Sequence, residues 1–293
     1  MSFPGSSKAF KNSVGIDVYY QLWEAEEKTA QVVFCHGEGE HFSRYSEIFE
    51  QFAENGIRVM AFDQVGCGET GVKANSLGRP LGMDQTMKDL TEAIVMVHDS
   101  SIPLFLMGHS YGGLIVLNYL ADGRWRKHVH GAIVSSPYIE AAKEVHPYFI
   151  SSVAQMSASY LMPNYKMKLG SSEKSLSRDQ KAVDAYLKDP LNTFSCTLMQ
   201  NREQIITSQH LIYSGYKKIE LNNLLICHGT ADAIASYDAT DSLAEKITRE
   251  NKVTDFEMST CDGGFHDLMF EEDGDETVCS YIQWIHDHTP AAY

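Results

Sequence analysis

The hexapeptide Gly108-His109-Ser110-Tyr111-Gly112-Gly113 limits what this chain can fold into more than any other stretch. Before it runs Ile102-Pro103-Leu104-Phe105-Leu106-Met107, which reads as a buried strand. After it runs Leu114-Ile115-Val116-Leu117-Asn118-Tyr119-Leu120, which reads as a buried helix. A serine set as G-x-S-x-G between a strand and a helix sits on a tight, strained corner, with its hydroxyl exposed at the end of a sheet. Gly108 and Gly112 leave room at the crossing, where a Cβ would clash. The flanking elements and the further glycine, Gly113, favour a nucleophile over an ordinary glycine-rich turn.

Strand-like and helix-like runs alternate along most of the chain, the pattern of an α/β fold whose mostly parallel sheet carries helices on both faces. Asp17 to Trp23, Gln31 to Cys35, Ile57 to Phe62, Gly131 to Ser135, Leu221 to Cys227 and Thr254 to Met258 are predicted strands. Tyr45 to Asn55 is a predicted helix with Ile48, Phe49 and Phe52 on one face. Asp84 is expected to cap a helix on which Met87, Leu90, Ile94 and Val97 recur at helical spacing. Tyr237 to Ile247 and Glu276 to His288 complete the set. Between about Pro137 and Ile219 the alternation stops, leaving helical, polar-rich pieces at Pro147 to Leu161, Arg178 to Leu187 and Thr193 to His210. Residues 1–136 and 220–293 thus read as one core, and 137–219 as an inserted cap or lid. It leaves from a strand's C-terminal end, the sheet edge that carries Ser110, which is why a position over that serine is expected.

Composition narrows the partners. The formal net charge is −15, which opposes nucleic acid and anionic membrane surfaces as bulk partners. It leaves open a neutral lipid interface met through an apolar patch. No window reaches the ~18 apolar residues of a transmembrane helix, and the first residues lack a signal-peptide core. The cysteines (Cys35, Cys67, Cys196, Cys227, Cys261, Cys279) are scattered, and Cys35 and Cys227 fall inside strand-like runs. Reduced thiols and a cytoplasmic enzyme are the expectation. Cys35-His36 and Cys227-His228 are single pairs at strand ends without metal-site spacing, so neither metal nor cofactor is expected.

A serine nucleophile needs a base, and the base an orienting acid. On this type of sheet the chain order is Ser, then Asp or Glu, then His. Cys227-His228-Gly229-Thr230-Ala231-Asp232 places an acid just past a strand end, and Gly263-Gly264-Phe265-His266 places a histidine past the last strand. Parallel strands share a C-terminal edge, so both loops reach Ser110's side. Asp232 and His266 are the assignment. His36 and His228 stand in the wrong chain order, Asp238 and Asp241 fall inside a helix, and Asp267 is too close in sequence to orient His266. An oxyanion hole needs two backbone N–H groups. Tyr111, after the nucleophile, supplies one. Glu38, in the loop His36-Gly37-Glu38-Gly39-Glu40-His41, supplies the other by position. Its carboxylate would raise the energy of a nearby oxyanion, so its side chain is expected to face solvent or pair with a cation.

The segments His36-Gly37-x-Gly39-Glu40-His41-x-x-Arg44-Tyr45, Gly108-His109-Ser110-x-Gly112-Gly113, His228-Gly229-x-x-Asp232 and Gly264-x-His266 together resemble the monoglyceride lipase branch of the α/β-hydrolases. The likeness runs from about Gly15 to His288, and Asp189-Pro190-Leu191 resembles a motif of that family's cap. The resemblance implies the α/β-hydrolase fold, a monoacylglycerol substrate, an apolar acyl tunnel under the cap and contact with a membrane or lipid droplet. It also implies that Glu40 and Arg44 bind the glycerol end. Two positions depart from the family: Met269 stands where a histidine is frequent, and Asp63-Gln64-Val65-Gly66-Cys67-Gly68 replaces a more basic loop.

The expected activity is therefore hydrolysis of fatty-acid esters through an acyl-enzyme on Ser110. Lysophospholipase, thioesterase and general carboxylesterase activities are the near alternatives. A non-catalytic binding or receptor protein on the same fold is the distant one, disfavoured by the complete Ser–Asp–His set. Dehalogenases and epoxide hydrolases, which attack through Asp, are excluded by Ser110.

Overall fold

The computed structural model describes residues 8–143, 156–168, 173–193 and 195–291. Its main sheet has eight strands: β1 (Lys8–Lys11), β2 (Asp17–Trp23), β3 (Ala30–Cys35), β4 (Ile57–Phe62), β5 (Leu104–His109), β6 (Val129–Ser135), β9 (Leu221–Gly229) and β10 (Val253–Cys261). Their spatial order is β1-β2-β4-β3-β5-β6-β9-β10. β2 runs antiparallel to β1 and β4, and every pairing from β4 to β10 is parallel.

Alternation along β3 sets the layers. Val33 and Cys35 join one apolar core with helices α3 (Met83–Val97), α4 (Tyr111–Asp122) and α7 (Tyr237–Glu250). Val32 and Phe34 join the opposite core with α1 (Ser46–Glu54) and α8 (Gly274–Asp287). Successive side chains point to opposite faces of a strand, so a continuous apolar run fills both layers. This is the α/β-hydrolase arrangement that the resemblance implies.

Register gathers the functional loops. Cys35 lies beside Gly108, His109 beside Ser135, Ser135 beside Cys227 and Gly229 beside Cys261. The loops that follow β3, β5, β9 and β10 therefore leave the sheet along one edge.

The chain between β6 and β9 makes no strand of the main sheet among the described residues. It contains a small antiparallel pair, β7 (Lys166–Lys168) and β8 (Ser195–Thr197), and helices α5 (Gln180–Lys188) and α6 (Leu198–Tyr213). The helix expected over Thr193 to His210 thus begins later, because Thr197 caps it by accepting from the Gln200 N–H. Most of the helix expected over Pro147 to Leu161 lies outside the described residues. Asp84 is not the cap of α3: Gly82, at φ 93°, precedes the helix, and Asp84 sits exposed in its first turn. β1 and α2 (Gly68–Lys73) have no counterpart among the predicted elements.

Candidate active site

Ser110 occupies the corner between β5 and α4 with φ 55° and ψ −119°. A non-glycine residue in this region is strained and persists only where its surroundings impose it. A Cβ on Gly112 would collide with the Cys35 carbonyl oxygen, so only glycine lets α4 approach β3 this closely. The Ser110 N–H donates to the Ser135 carbonyl, 2.9 Å, and its own carbonyl accepts from Leu114 and Tyr138.

The residues assigned from sequence meet here. His266 Nε2 lies 2.8 Å from Ser110 Oγ, and His266 Nδ1 lies 2.7 Å from Asp232 Oδ2. Asp232 Oδ1 accepts from the Ile234 and Ala235 N–H groups, 2.8 and 2.9 Å. The His228 Nε2–H donates to Asp232 Oδ2 at 3.0 Å. His228, set aside as a base, thus serves as a second anchor for the acid. Its signal was its place on the same strand end, four residues before Asp232. Burial raises the Asp232 pKa, but the His266 charge and the hydrogen bonds from His228 and His266 outweigh it and hold the carboxyl below the usual carboxylate range. Burial lowers the His266 pKa, but Asp232, with smaller help from Asp267 and Glu40, lifts it above its ordinary value.

The loop after β3 is fixed by two pegs. Burial pushes His36 down to about 4, so the ring is neutral. Its Nε2 accepts from the Gln64 N–H at 3.1 Å, which leaves Nδ1–H to donate to the Gly37 carbonyl at 2.8 Å. A trans peptide holds its C=O and N–H on opposite sides, so anchoring the Gly37 carbonyl also fixes the direction of the Glu38 N–H. The Gly37 N–H in turn donates to Glu40 Oε1 at 2.5 Å. A Cβ on Gly37 would sit 3.2 Å from the Ser110 Cβ, which places this loop against the nucleophile. The Tyr111 N–H is the first of α4 and has no intrahelical acceptor. The Gly37–Glu38 peptide and the start of α4 at Tyr111 thus both lie beside the serine.

The Glu38 side chain corrects one expectation. Its carboxyl is buried, and no cation among the described residues meets it. Gln204 on α6 donates to Oε2 at 2.7 Å, while Oε1 is buried without a partner among the described residues. Burial pushes this carboxyl up to about 7, with the Gln204 hydrogen bond opposing the rise.

Glu40 is buried and Arg44 largely buried near the site, and both carboxylate oxygens of Glu40 are engaged by the protein. Glu40 Oε1 accepts from the Gly37 N–H and from the Tyr45 hydroxyl at 2.7 Å, and Oε2 accepts from Arg44 Nη1 at 2.7 Å. Arg44 Nη2 donates to Asp267 Oδ2, 2.5 Å, and the guanidinium lies 3.9 Å over the Phe270 ring. Asp267 Oδ1 takes His109 Nε2 at 3.0 Å. Arg44, Glu40, Asp267 and His109 thus tie the loops after β3, β5 and β10 together. Met269 enters the core beneath α8, so no polar group takes the place of the family's frequent histidine. Asp63 accepts from the Phe42 and Glu69 N–H groups, 3.0 and 2.6 Å, and holds the loop that departs from the family.

His109, His266 and Asp267 offer ligand atoms within 4.8 Å of one another. Arg44 already stands there as the counter-charge of Asp267, and both nitrogens of His266 are engaged by Asp232 and Ser110. The described cysteines are free, and burial pushes the Cys227 thiol up to about 12. A cleft of about 840 Å³ lined by Glu24, Glu26, Glu27, Glu50 and Glu54 lies beside the starts of β3 and β4, at the opposite sheet edge. It takes no part in this site.

Residues 26–273 match the family described as serine aminopeptidase, S33. A Schizosaccharomyces pombe protein whose name places it with the monoglyceride lipases is 30% identical over 285 residues, covering 93% of this chain and 72% of that protein. The monoacylglycerol lipase of Paleococcus ferrophilus superposes with a TM-score of 0.79 at 26% identity, over 92% of this chain and 99% of that one. A soluble variant of Saccharomyces cerevisiae monoglyceride lipase, crystallised with a substrate analogue, gives a TM-score of 0.84 at 22% identity, over 99% and 97% of the two chains, and bears on fold alone.

Proposed function

This chain belongs to the serine aminopeptidase S33 family of α/β-hydrolases, and we propose that it is a serine hydrolase that splits monoacylglycerol into glycerol and free fatty acid. The observation that carries the reading is the unbroken line from Ser110 Oγ through His266 to Asp232, at 2.8 and 2.7 Å, in a chain similar to several proteins named as monoglyceride or monoacylglycerol lipases.

Ser110 Oγ attacks the ester carbonyl as His266 Nε2 takes its proton. Asp232 holds the ring by Nδ1–H and stabilises the imidazolium. The Glu38 and Tyr111 N–H groups receive the developing oxyanion, and their alignment before reaction is what makes such donors effective. His266 returns the proton to the leaving glycerol oxygen. Water then repeats the cycle on the acyl-enzyme.

The finer parts of the reading concern the segment between β6 and β9. It acts as a cap over the acyl chain. Leu176 and Tyr186 from this segment pack with Ile234, beside the Asp232 loop, and with Tyr138, supplying an apolar wall. Tyr160, Leu161, Met162 and Tyr165 are exposed on it, and a neutral lipid surface is their partner in this reading. Free cysteines accord with a cytoplasmic enzyme.

The test combines labelling with turnover. Wild type takes one fluorophosphonate per chain, and Ser110→Ala takes none while keeping its fold. A panel of monoacylglycerol, diacylglycerol, lysophosphatidylcholine and short p-nitrophenyl esters gives the highest kcat/KM on monoacylglycerol. Stoichiometric labelling of Ser110→Ala, or preference for the lysophospholipid, refutes the reading.

A further inference from the structure

The oxyanion loop is held from two sides. From the core, His36 and Glu40 fix the carbonyl and the N–H of Gly37. The residues just beyond are gripped by the inserted segment. Gln204 of α6 donates to Glu38 Oε2 at 2.7 Å. The Thr193 N–H donates to the Gly39 carbonyl at 2.6 Å. His41 Nε2 lies 2.9 Å from Asp189 Oδ2, just past α5. Gly39 sits at φ 71°, and a Cβ there would strike the Thr193 carbonyl oxygen, so the two backbones are in direct contact. Gln204 is only 3% exposed.

We infer that the inserted segment completes the oxyanion hole, with Gln204 and Asp189 as positioning residues that keep the Glu38 N–H on target. The inference rests on the ester-hydrolase reading and goes beyond sheltering of the acyl chain. A donor contributes only where it meets the oxyanion's place in the transition state, and a misplacement of about 1 Å costs on the order of 100-fold in rate. The contacts reach Glu38, Gly39 and His41, so the segment cannot lift without loosening the loop. Closure over the substrate and assembly of the hole become one event, and an open cap leaves a serine with one good oxyanion donor, Tyr111.

The experiment uses the full chain and a short soluble ester, p-nitrophenyl butyrate, whose acyl group needs little shelter. Gln204→Leu removes the donor at similar size. Its kcat is expected to fall about tenfold, with KM changed less than twofold. Affinity for a trifluoromethyl ketone, which presents an oxyanion when Ser110 adds to it, falls by the same factor. Binding of butyrate, which forms no adduct, stays the same. Asp189→Asn shows a smaller loss with the same pattern. The exposed α5 variant Asp184→Asn behaves as wild type. Glu38→Ser cuts the same contact from the loop side and serves if Gln204→Leu does not fold. Combined with Gln204→Leu, it loses no more than either alone. An unchanged kcat, or a loss confined to KM with ketone affinity retained, overturns the inference. Failure of the ester-hydrolase reading looks different: a wild type that neither labels with fluorophosphonate nor hydrolyses any ester.

Discussion

Ser110 carries a Cβ at φ 55°, a conformation imposed by β5, α4 and the Ser135 carbonyl. Glycine enters this region freely and alanine does not. Ser110→Gly is therefore expected to be more stable than Ser110→Ala by about 1 kcal/mol, although both lose the hydroxyl. Chemical denaturation of the pair checks it, and equal midpoints would remove the strain argument. His266 gives a second expectation. Burial favours the neutral ring, but ionised Asp232 wins and lifts the pKa. Catalysis needs the neutral ring, so kcat/KM is lost as pH falls through a limb above the ordinary histidine value of about 6.5. Asp232→Asn removes the charge, so it should move this limb downward while lowering kcat by roughly 10⁴-fold. A limb that stays in place in the variant would show that another group titrates. These residues were readable from the sequence because a nucleophile on a strand–helix corner and two strand-end loops in fixed chain order leave few candidates. The Glu38 side chain was not, because its partner Gln204 lies 166 positions away, on a segment with no pattern tying it to this loop.

Among the elements, the loops after β3, β5 and β10 are tied together by the network of Arg44, Glu40, Asp267 and His109. Arg44→Ala leaves two buried carboxylates without their cation, which costs about 3–5 kcal/mol. Activity on monoacylglycerol and on the methyl ester of the same acid should fall by equal factors, since the loss is of loop position rather than of hydroxyl contacts. A selective loss on monoacylglycerol, measured as the ratio of kcat/KM values, would place Glu40 and Arg44 at the glycerol end. The tie escaped sequence reasoning because Arg44 and Asp267 are 223 positions apart, and proximity to His266 made Asp267 look redundant. Long strands and helices were legible because a core on each face demands apolar runs. β1, Lys-Ala-Phe-Lys, is an exposed edge strand whose lysines carry no such signature. β7 and β8 have three residues each, too few for any period to show. The exposed set around Leu161 is testable at this scale too. Tyr160→Ser with Leu161→Ser should weaken partition onto neutral triacylglycerol emulsions while sparing p-nitrophenyl butyrate turnover. Unchanged partition would place lipid contact elsewhere.

Over the whole molecule, a net charge of −15 sets the long-range field. Anionic vesicles should repel the protein more strongly as salt is lowered, whereas binding to neutral emulsions should respond little. Flotation at two ionic strengths separates the cases, and tighter binding to anionic vesicles at low salt would point to a local basic patch overriding the total. The order of the functional parts along the chain has a consequence for biosynthesis. A growing polypeptide that has emerged through α6 already carries Ser110, the Glu38 and Tyr111 amides and the inserted segment, yet Asp232 and His266 follow only with β9 and β10. Those strands must pair with β6 and with each other before the base can reach the serine, a non-local step of the kind that forms slowly. Until then the nascent chain holds a strained but unactivated hydroxyl, so the serine stays chemically silent until β9 and β10 have been made and paired.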